Sequence, residues 1–275
     1  MSLSRKYEGK MRTVILSAAL AALCLPMWAA QDQSKQDQGK DVNPDEIIRK
    51  FAAKEAEFRD ARGNYTYRQT VKLEELDMGG NPTGGKWEEI DDIIFSPQGK
   101  RSEVVVYAPV QNLHNIILTP EDAQDLREVQ PFVLTTADIG QYNVNYLGRE
   151  KLDEIGCYTF SVKPKKMEKG KRYFEGEIWV DDRDLQIVKT YGRGVGVHKK
   201  DSDHKYPKFE TYREQIDGKY WFPTYTIAND MLNFKEGAIP IKMVVTYKDY
   251  KQFKSQSNIT FEGVAEDPNK PAPPK

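Results

Sequence analysis

The sequence predicts an α+β fold that is mainly β: one large, curved antiparallel sheet with helices packed in its concave face. Three observations predict it. Period-two alternation of apolar and polar residues recurs from Tyr65 to Lys248. Clusters of Gly, Asn, Asp and Pro punctuate it at hairpin distances. The one long helical pattern comes before all the strands, and the only other is short.

The helix comes first. Asn43 is a good N-cap, Pro44 suits the first helical position, and Glu46 stands where it can close a capping box. Ile47, Ile48, Phe51, Ala52, Glu55 and Phe58 recur at helical spacing, with Lys54, Glu57 and Arg59 outside and Gly63 as the stop. Tyr65, Tyr67, Val71 and Leu73 then alternate with Thr66, Arg68, Thr70 and Lys72. The Gly-rich stretch 79–85 turns the chain, the segment 87–95 returns, and Pro97-Gln98-Gly99-Lys100 turns it again into 102–107. Thr119 caps a short helix opening Pro120-Glu121-Asp122 and running towards Glu128.

The second half alternates more regularly. Tyr142, Val144 and Tyr146 are followed by Tyr158, Phe160 and Val162, then by the hairpin YFEGEIWVDDRDLQIVKT at 173–190. In that hairpin Phe174, Gly176, Ile178 and Val180 share one face and Trp179 the other. Asp181 to Asp184 form the turn, and Leu185 begins the return. The segments 209–216, 220–227 and 241–248 complete roughly ten or eleven strands, mostly hairpin-linked and so antiparallel. A sheet of that size with one apolar face must curl around something, and the fillers on offer are the first helix and residues 120–140.

The flanks read differently. Residues 1–30 have the form of a signal peptide: Arg5, Lys6, Lys10 and Arg12 precede the apolar run Val14–Leu25, and Ala29-Ala30 offers a cleavage point. Met1 or Met11 can serve as the start. The expectation is export to the periplasm, with anchoring by an uncleaved N-terminal segment as the alternative. Residues 31–42 are a polar linker, 43–262 one domain, and 263–275 a Pro-rich tail. Removing 1–30 takes away four basic residues and one acidic, leaving 37 basic against 41 acidic. That balance argues against nucleic acid as a partner, which would require a concentrated basic surface. Of the two cysteines only Cys157 then remains, so the apolar core must hold the fold.

Chemical motifs are scarce. G-x-S-x-G, H-E-x-x-H, the P-loop and C-x-x-C are all absent from the sequence. Gly192-Arg193-Gly194-Val195-Gly196 lacks the last glycine of a dinucleotide loop and reads as a flexible strand end. The segment His198 to His204 has no spacing typical of metal ligands and reads as a solvated loop. Asp181, Asp182 and Asp184 lie together on an exposed turn, where nothing separates their acidities. No catalytic residue, metal or cofactor is expected, and the chain is not expected to be an enzyme.

Some strand-and-turn residues carry a resemblance. Tyr142-x-Val144 with Gly148, Gly156-x-Tyr158-x-Phe160 with Pro164, and Gly176-x-Ile178-Trp179-Val180-Asp181 with Leu185 and Val188 resemble the LolA-like periplasmic proteins. That superfamily includes the outer-membrane lipoprotein carrier LolA, its receptor LolB and the sensor-binding protein RseB. The resemblance spans roughly residues 43 to 254. It implies an unclosed half-barrel with helices in its mouth and a hydrophobic cavity for the acyl chains of a lipid or lipoprotein. The first half departs from the family, since loop 77–86 and the N-terminal tether have no counterpart there. The expected lining is Tyr65, Tyr67, Val71, Tyr158, Phe160, Ile178, Val180, Ile241, Met243 and Val245. The expected function is lipid or lipoprotein binding by a monomer, in outer-membrane lipoprotein sorting or envelope lipid traffic, with an envelope or outer-membrane protein as a further partner. The competing expectation is a regulatory or structural interaction domain whose barrel is filled by its own side chains.

Overall fold

The computed structural model describes residues 43–96, 100–197 and 206–253. The expected signal peptide, linker and tail, the turn at 97–99 and the His198–His204 loop lie outside the described residues.

The elements run in chain order as α1 (Pro44–Arg62), β1 (Tyr65–Leu76), β2 (Pro82–Phe95), β3 (Arg101–Tyr107), α2 (Pro120–Gln124), β4 (Tyr142–Leu152), β5 (Ile155–Pro164), β6 (Arg172–Asp181), β7 (Ile187–Gly196), β8 (Phe209–Gln215), β9 (Trp221–Asn233) and β10 (Ala238–Gln252). The ten strands form one sheet in the order β3-β2-β1-β10-β9-β8-β7-β6-β5-β4. Every neighbouring pair is antiparallel. The sheet does not close into a barrel. Apart from the β1–β10 pairing, neighbours in space are neighbours in sequence, as a meander of hairpins requires.

Helix α1 follows its sequence signals. Asn43 accepts a hydrogen bond from the Glu46 N–H, Pro44 opens the helix, and Ile47, Phe51, Ala52, Glu55 and Phe58 are buried. Phe51 packs on Phe160 of β5 at 5.4 Å between ring centroids, and Phe58 meets Phe222 of β9 edge-on at 5.2 Å. Such rings bury large apolar areas and gain further from tilted packing. Thr119 and Asp122 close a reciprocal capping box on α2, and the chain continues in a wider helical turn over Asp125–Val129. The following loop adds Phe132, stacked on Phe174 of β6 at 4.5 Å, and the fully buried Leu134.

The hairpin at 173–190 departs from expectation in one detail. Asp181 Oδ1 accepts from the N–H groups of Arg183 and Asp184, as an acidic turn should. Leu185 belongs to that turn, with φ 54°, and the ladder resumes at Ile187. Trp179 lies on the opposite face as expected, but that face is covered there, and it packs with Cys157 and Val188 in a second cluster, beneath Leu152, Ile155 and Trp221.

The glycines of β7 are not a flexible strand end. Gly192 pairs with Gly176, Gly194 pairs with Phe174, and the ladder continues to Gly196. A Cβ on Gly192 would lie 2.8 Å from two carbons of the Phe174 ring. On Gly194 it would strike the Asp125 carboxylate and sit 2.6 Å from Arg172 Nη2. Asp125 and Arg172 form a buried two-point ion pair, Nε to Oδ1 at 2.7 Å and Nη2 to Oδ2 at 2.5 Å. The glycines let this pair and the Phe174 ring lie flat on the strand. Gly194→Ala should therefore destabilise the chain by about 1–3 kcal/mol, the usual cost of overpacking, in urea denaturation. An unchanged midpoint would contradict the close approach.

Candidate functional site

A groove of about 460 Å³ opens at one end of the concave face. Its floor is Leu73 of β1, Trp87 of β2, Phe209 of β8, Leu232 of β9 and Ile241 and Met243 of β10. One wall is the run Ile116-Ile117-Leu118, with Leu126 beyond it, and Ile117 at the groove is 87% exposed. Polar groups, among them Thr119, Asp122, Gln130 and Glu236, are interspersed among these side chains. Concave, mostly apolar clefts of this size are the usual form of a small-ligand site.

A buried carboxylate builds that wall. Glu75, the last inward residue of β1, is fully buried and accepts from the backbone N–H groups of His114, Asn115 and Ile116 at 3.1, 2.8 and 3.0 Å. Asn115 Nδ2 adds a fourth bond at 3.2 Å. Asn112 ties the same loop to β2, accepting from the Lys86 N–H at 3.1 Å and donating to the Gly84 carbonyl at 3.0 Å. Hydrogen bonds of this kind, several N–H donors converging on one carboxylate, are stronger than neutral ones. The wall is therefore fixed at its base and apolar at its rim.

The expected lining residues divide between this groove and the packed core. Ile241 and Met243 line the groove. Val71 and Val245, paired across β1 and β10, are buried one step along the same face. Tyr65 packs on Phe222 at 4.6 Å, and Tyr67 stacks with Tyr250 at 5.0 Å. Phe160 lies under α1, and Ile178 and Val180 are fully buried in β6. Tyr158 is half-buried, where it accepts a hydrogen bond from Arg149 Nη2 at 3.0 Å. Eight of the ten thus lie outside the groove lining. Alternation alone does not separate a lining residue from a core one. The overlooked signal is Ile116-Ile117-Leu118, an apolar run in a loop just before a helix cap.

The other half of the concave face is closed by charge as well as by rings. Arg213 of β8 donates through Nη1 to both carboxylate oxygens of Glu55 of α1, at 3.2 and 3.1 Å, and through Nη2 to the Phe132 carbonyl. The Ile187 N–H donates to Glu55 Oε1 at 3.0 Å. Both side chains are at most 1% exposed. Their four partners belong to α1, β7, β8 and the loop after α2.

Other titratable groups offer little chemistry. Burial, with Asp181 nearby, pushes the Cys157 thiol up to about 11, so little of the nucleophilic thiolate forms. Asp91 of β2 is pushed up to about 7, first by burial and then by neighbouring Glu89. A raised carboxyl beside a second one suits acid–base work. Neither lines the groove, and Asp91 pairs in register with Gln69 and Val105 within the sheet. Among the described residues no group of three or more His, Cys, Asp or Glu is placed to hold a metal, and no helix is long and apolar enough to cross a membrane.

No protein-family model and no curated protein matches the chain. Solved structures do. A DUF1329 family protein from Desulfovibrio piger is similar at 17% identity with a TM-score of 0.43, over 80% of this chain and 98% of that one. A LolA superfamily protein from Nitrosomonas europaea is similar at 14% identity and a TM-score of 0.34, over 78% and 95% of the two chains. A domain from Vibrio parahaemolyticus named for outer membrane lipoprotein sorting is similar at 14% identity and a TM-score of 0.33, over 75% and 92%.

Two predictions follow the buried charges. Glu55→Gln should cost about 3–5 kcal/mol in urea denaturation, because it leaves Arg213 buried without its counter-charge. Replacing both residues by Met should recover most of that loss, and equal instability of the double variant would contradict the account. Asp91 favours its protonated form in the folded chain. Its stabilisation is complete below its ordinary value of 3.8 and is lost as pH rises towards about 7. Asp91→Asn should flatten that decline in a pH series of denaturation midpoints, while a parallel decline would assign it to other groups.

Proposed function

We propose that the chain is an exported binding protein that shelters one acyl chain of a lipid or lipoprotein in the apolar groove, without catalysis. The observation that carries this reading is the groove itself: an open cleft of about 460 Å³ walled by Ile116, Ile117 and Leu118 and floored by Leu232, Ile241 and Met243. At about 0.8 kcal/mol per buried CH₂, sheltering a dozen methylenes contributes on the order of 10 kcal/mol before the costs of association. Dispersion and water exclusion supply all of that, so no reactive side chain is needed. The signal-like N-terminus and the resemblance to LolA-like proteins support a periplasmic role in lipoprotein sorting or envelope lipid traffic. A groove of this volume suits one chain and not a bundle.

The test is uptake of a fluorescent fatty-acyl probe, together with native mass spectrometry of protein expressed in a Gram-negative host. Co-purifying lipid and saturable uptake are expected. Ile117→Glu should leave stability unchanged, since the residue is 87% exposed, and should weaken probe binding about tenfold by removing one apolar contact. Absence of uptake by the unmodified chain would favour an interaction domain with a self-filled barrel.

A further inference from the structure

A second groove, also about 460 Å³, lies along the C-terminal end of α1. It takes Gln124, Arg127 and Val129 from the same helical segment whose Asp122, Asp125 and Leu126 line the apolar groove. Its character is opposite. Arg59, Arg62, Arg127, Lys171 and Arg172 line it, against the carboxylates of Glu128 and Asp138 alone.

Most of these cations are already engaged. Arg172 is held by Asp125, Arg59 lies 3.3 Å from Asp138, and Lys171 lies 2.7 Å from Glu168. Arg127 reaches Glu103 only at 3.5 Å. Arg62 has no carboxylate within ion-pair distance among the described residues. Its Nη1 donates one long bond, 3.5 Å, to the Pro131 carbonyl. Its Nε is buried with no acceptor among the described residues. The guanidinium lies 5.9 Å from the centroids of both Phe58 and Phe95. Burial is the largest influence and disfavours its charge; Tyr67 and Tyr250 favour it, while the nearby Arg213 and Arg101 oppose it. The α1 C-terminus offsets only part of that cost, because the helix dipole supplies about half a charge.

We infer that this groove binds a phosphate-type oxyanion, with Arg62 as its inner ligand and Arg127 and Lys171 at the rim. An arginine fork suits two oxygens of such a group. Cations drawn from α1, the helical segment and the start of β6 call for more acceptor oxygens than a carboxylate offers. The group is a free phosphate or the headgroup of a phospholipid. The inference stands apart from the acyl reading, since the two grooves share no lining residue.

The test titrates the full chain calorimetrically with sodium phosphate at constant ionic strength, and floats it with vesicles of phosphatidylglycerol or of phosphatidylcholine. Phosphate should bind the unmodified chain. Arg62→Met should bind it about tenfold or more weakly, as loss of a charge-assisted bond implies, while melting no lower and taking up the acyl probe unchanged. Arg127→Gln, at the exposed rim, should weaken binding by a smaller factor, and it carries the test should Arg62→Met not fold. Capture by phosphatidylglycerol vesicles that depends on Arg62 identifies a headgroup. Phosphate binding without such capture identifies the free ion. Equal phosphate binding by the variants and the unmodified chain, or no binding of phosphate or anionic vesicles at all, would overturn the inference.

Discussion

The pair formed by Glu55 and Arg213 sets the arrangement on which the rest of the structure depends. A carboxylate and a guanidinium removed from water each lose several kcal/mol of hydration, and here mutual attraction and hydrogen bonds offset that loss although Arg213 Nε finds no acceptor among the described residues. Here the donors to Glu55 come from β8 and the Ile187 backbone, and Arg213 also reaches the Phe132 carbonyl. Sliding α1 along the sheet, or turning it about its axis, would break several of these bonds together. The pair therefore selects one docking of α1, and that docking brings Phe51 to Phe160 and Phe58 to Phe222. One half of the concave face fills as a result. The groove at the other end is the part that α1 does not reach.

Glu75 organises that end by similar physics. It too lies on the apolar face of its element, in line with Tyr65, Tyr67, Val71 and Leu73, and it too is fully buried. Its partners are backbone N–H groups, so it orders a loop where Glu55 orders a helix. The Arg172–Asp125 pair, roofing the β7 glycines, is a third device of the kind. Apolar contact is nondirectional, and a wide open sheet offers many near-equivalent ways to cover it. Buried carboxylates with directional partners remove that degeneracy at three places.

These devices also mark the limit of what the sequence made legible. Strand alternation, turn clusters, the Asn43 and Thr119 caps and the apolar stripe of α1 are local signals, and the architecture follows from them. Glu55 stood in the stripe and Glu75 closed the inward series of β1, so the anomaly was visible in both cases. Their partners, Arg213 and the N–H groups of 114–116, are distant in sequence, and no local rule pairs them. The same limit applies to the site. Phe160 and Met243 are both inward, apolar and on well-formed strands, and only the course of α1 makes one of them core and the other groove floor. The β7 glycines were misread because their function is to admit a neighbour, and that neighbour comes from another part of the chain.

The open sheet leaves β3 and β4 as edges, and β3 is the more exposed. Val104, Val105, Val106 and Tyr107 are each about half exposed, where an edge would ordinarily carry charge or be covered. The groove wall leaves the sheet directly from this strand, so a loosely held edge would by itself loosen the wall. The hydrogen bonds argue otherwise. Residues 114–116 are bonded to Glu75 of β1, and Asn112 is bonded to Lys86 and Gly84, so the wall is tied to the two strands inward of the edge. β1 is itself paired along most of its length with both β2 and β10. The groove can keep its shape while the edge strand frays.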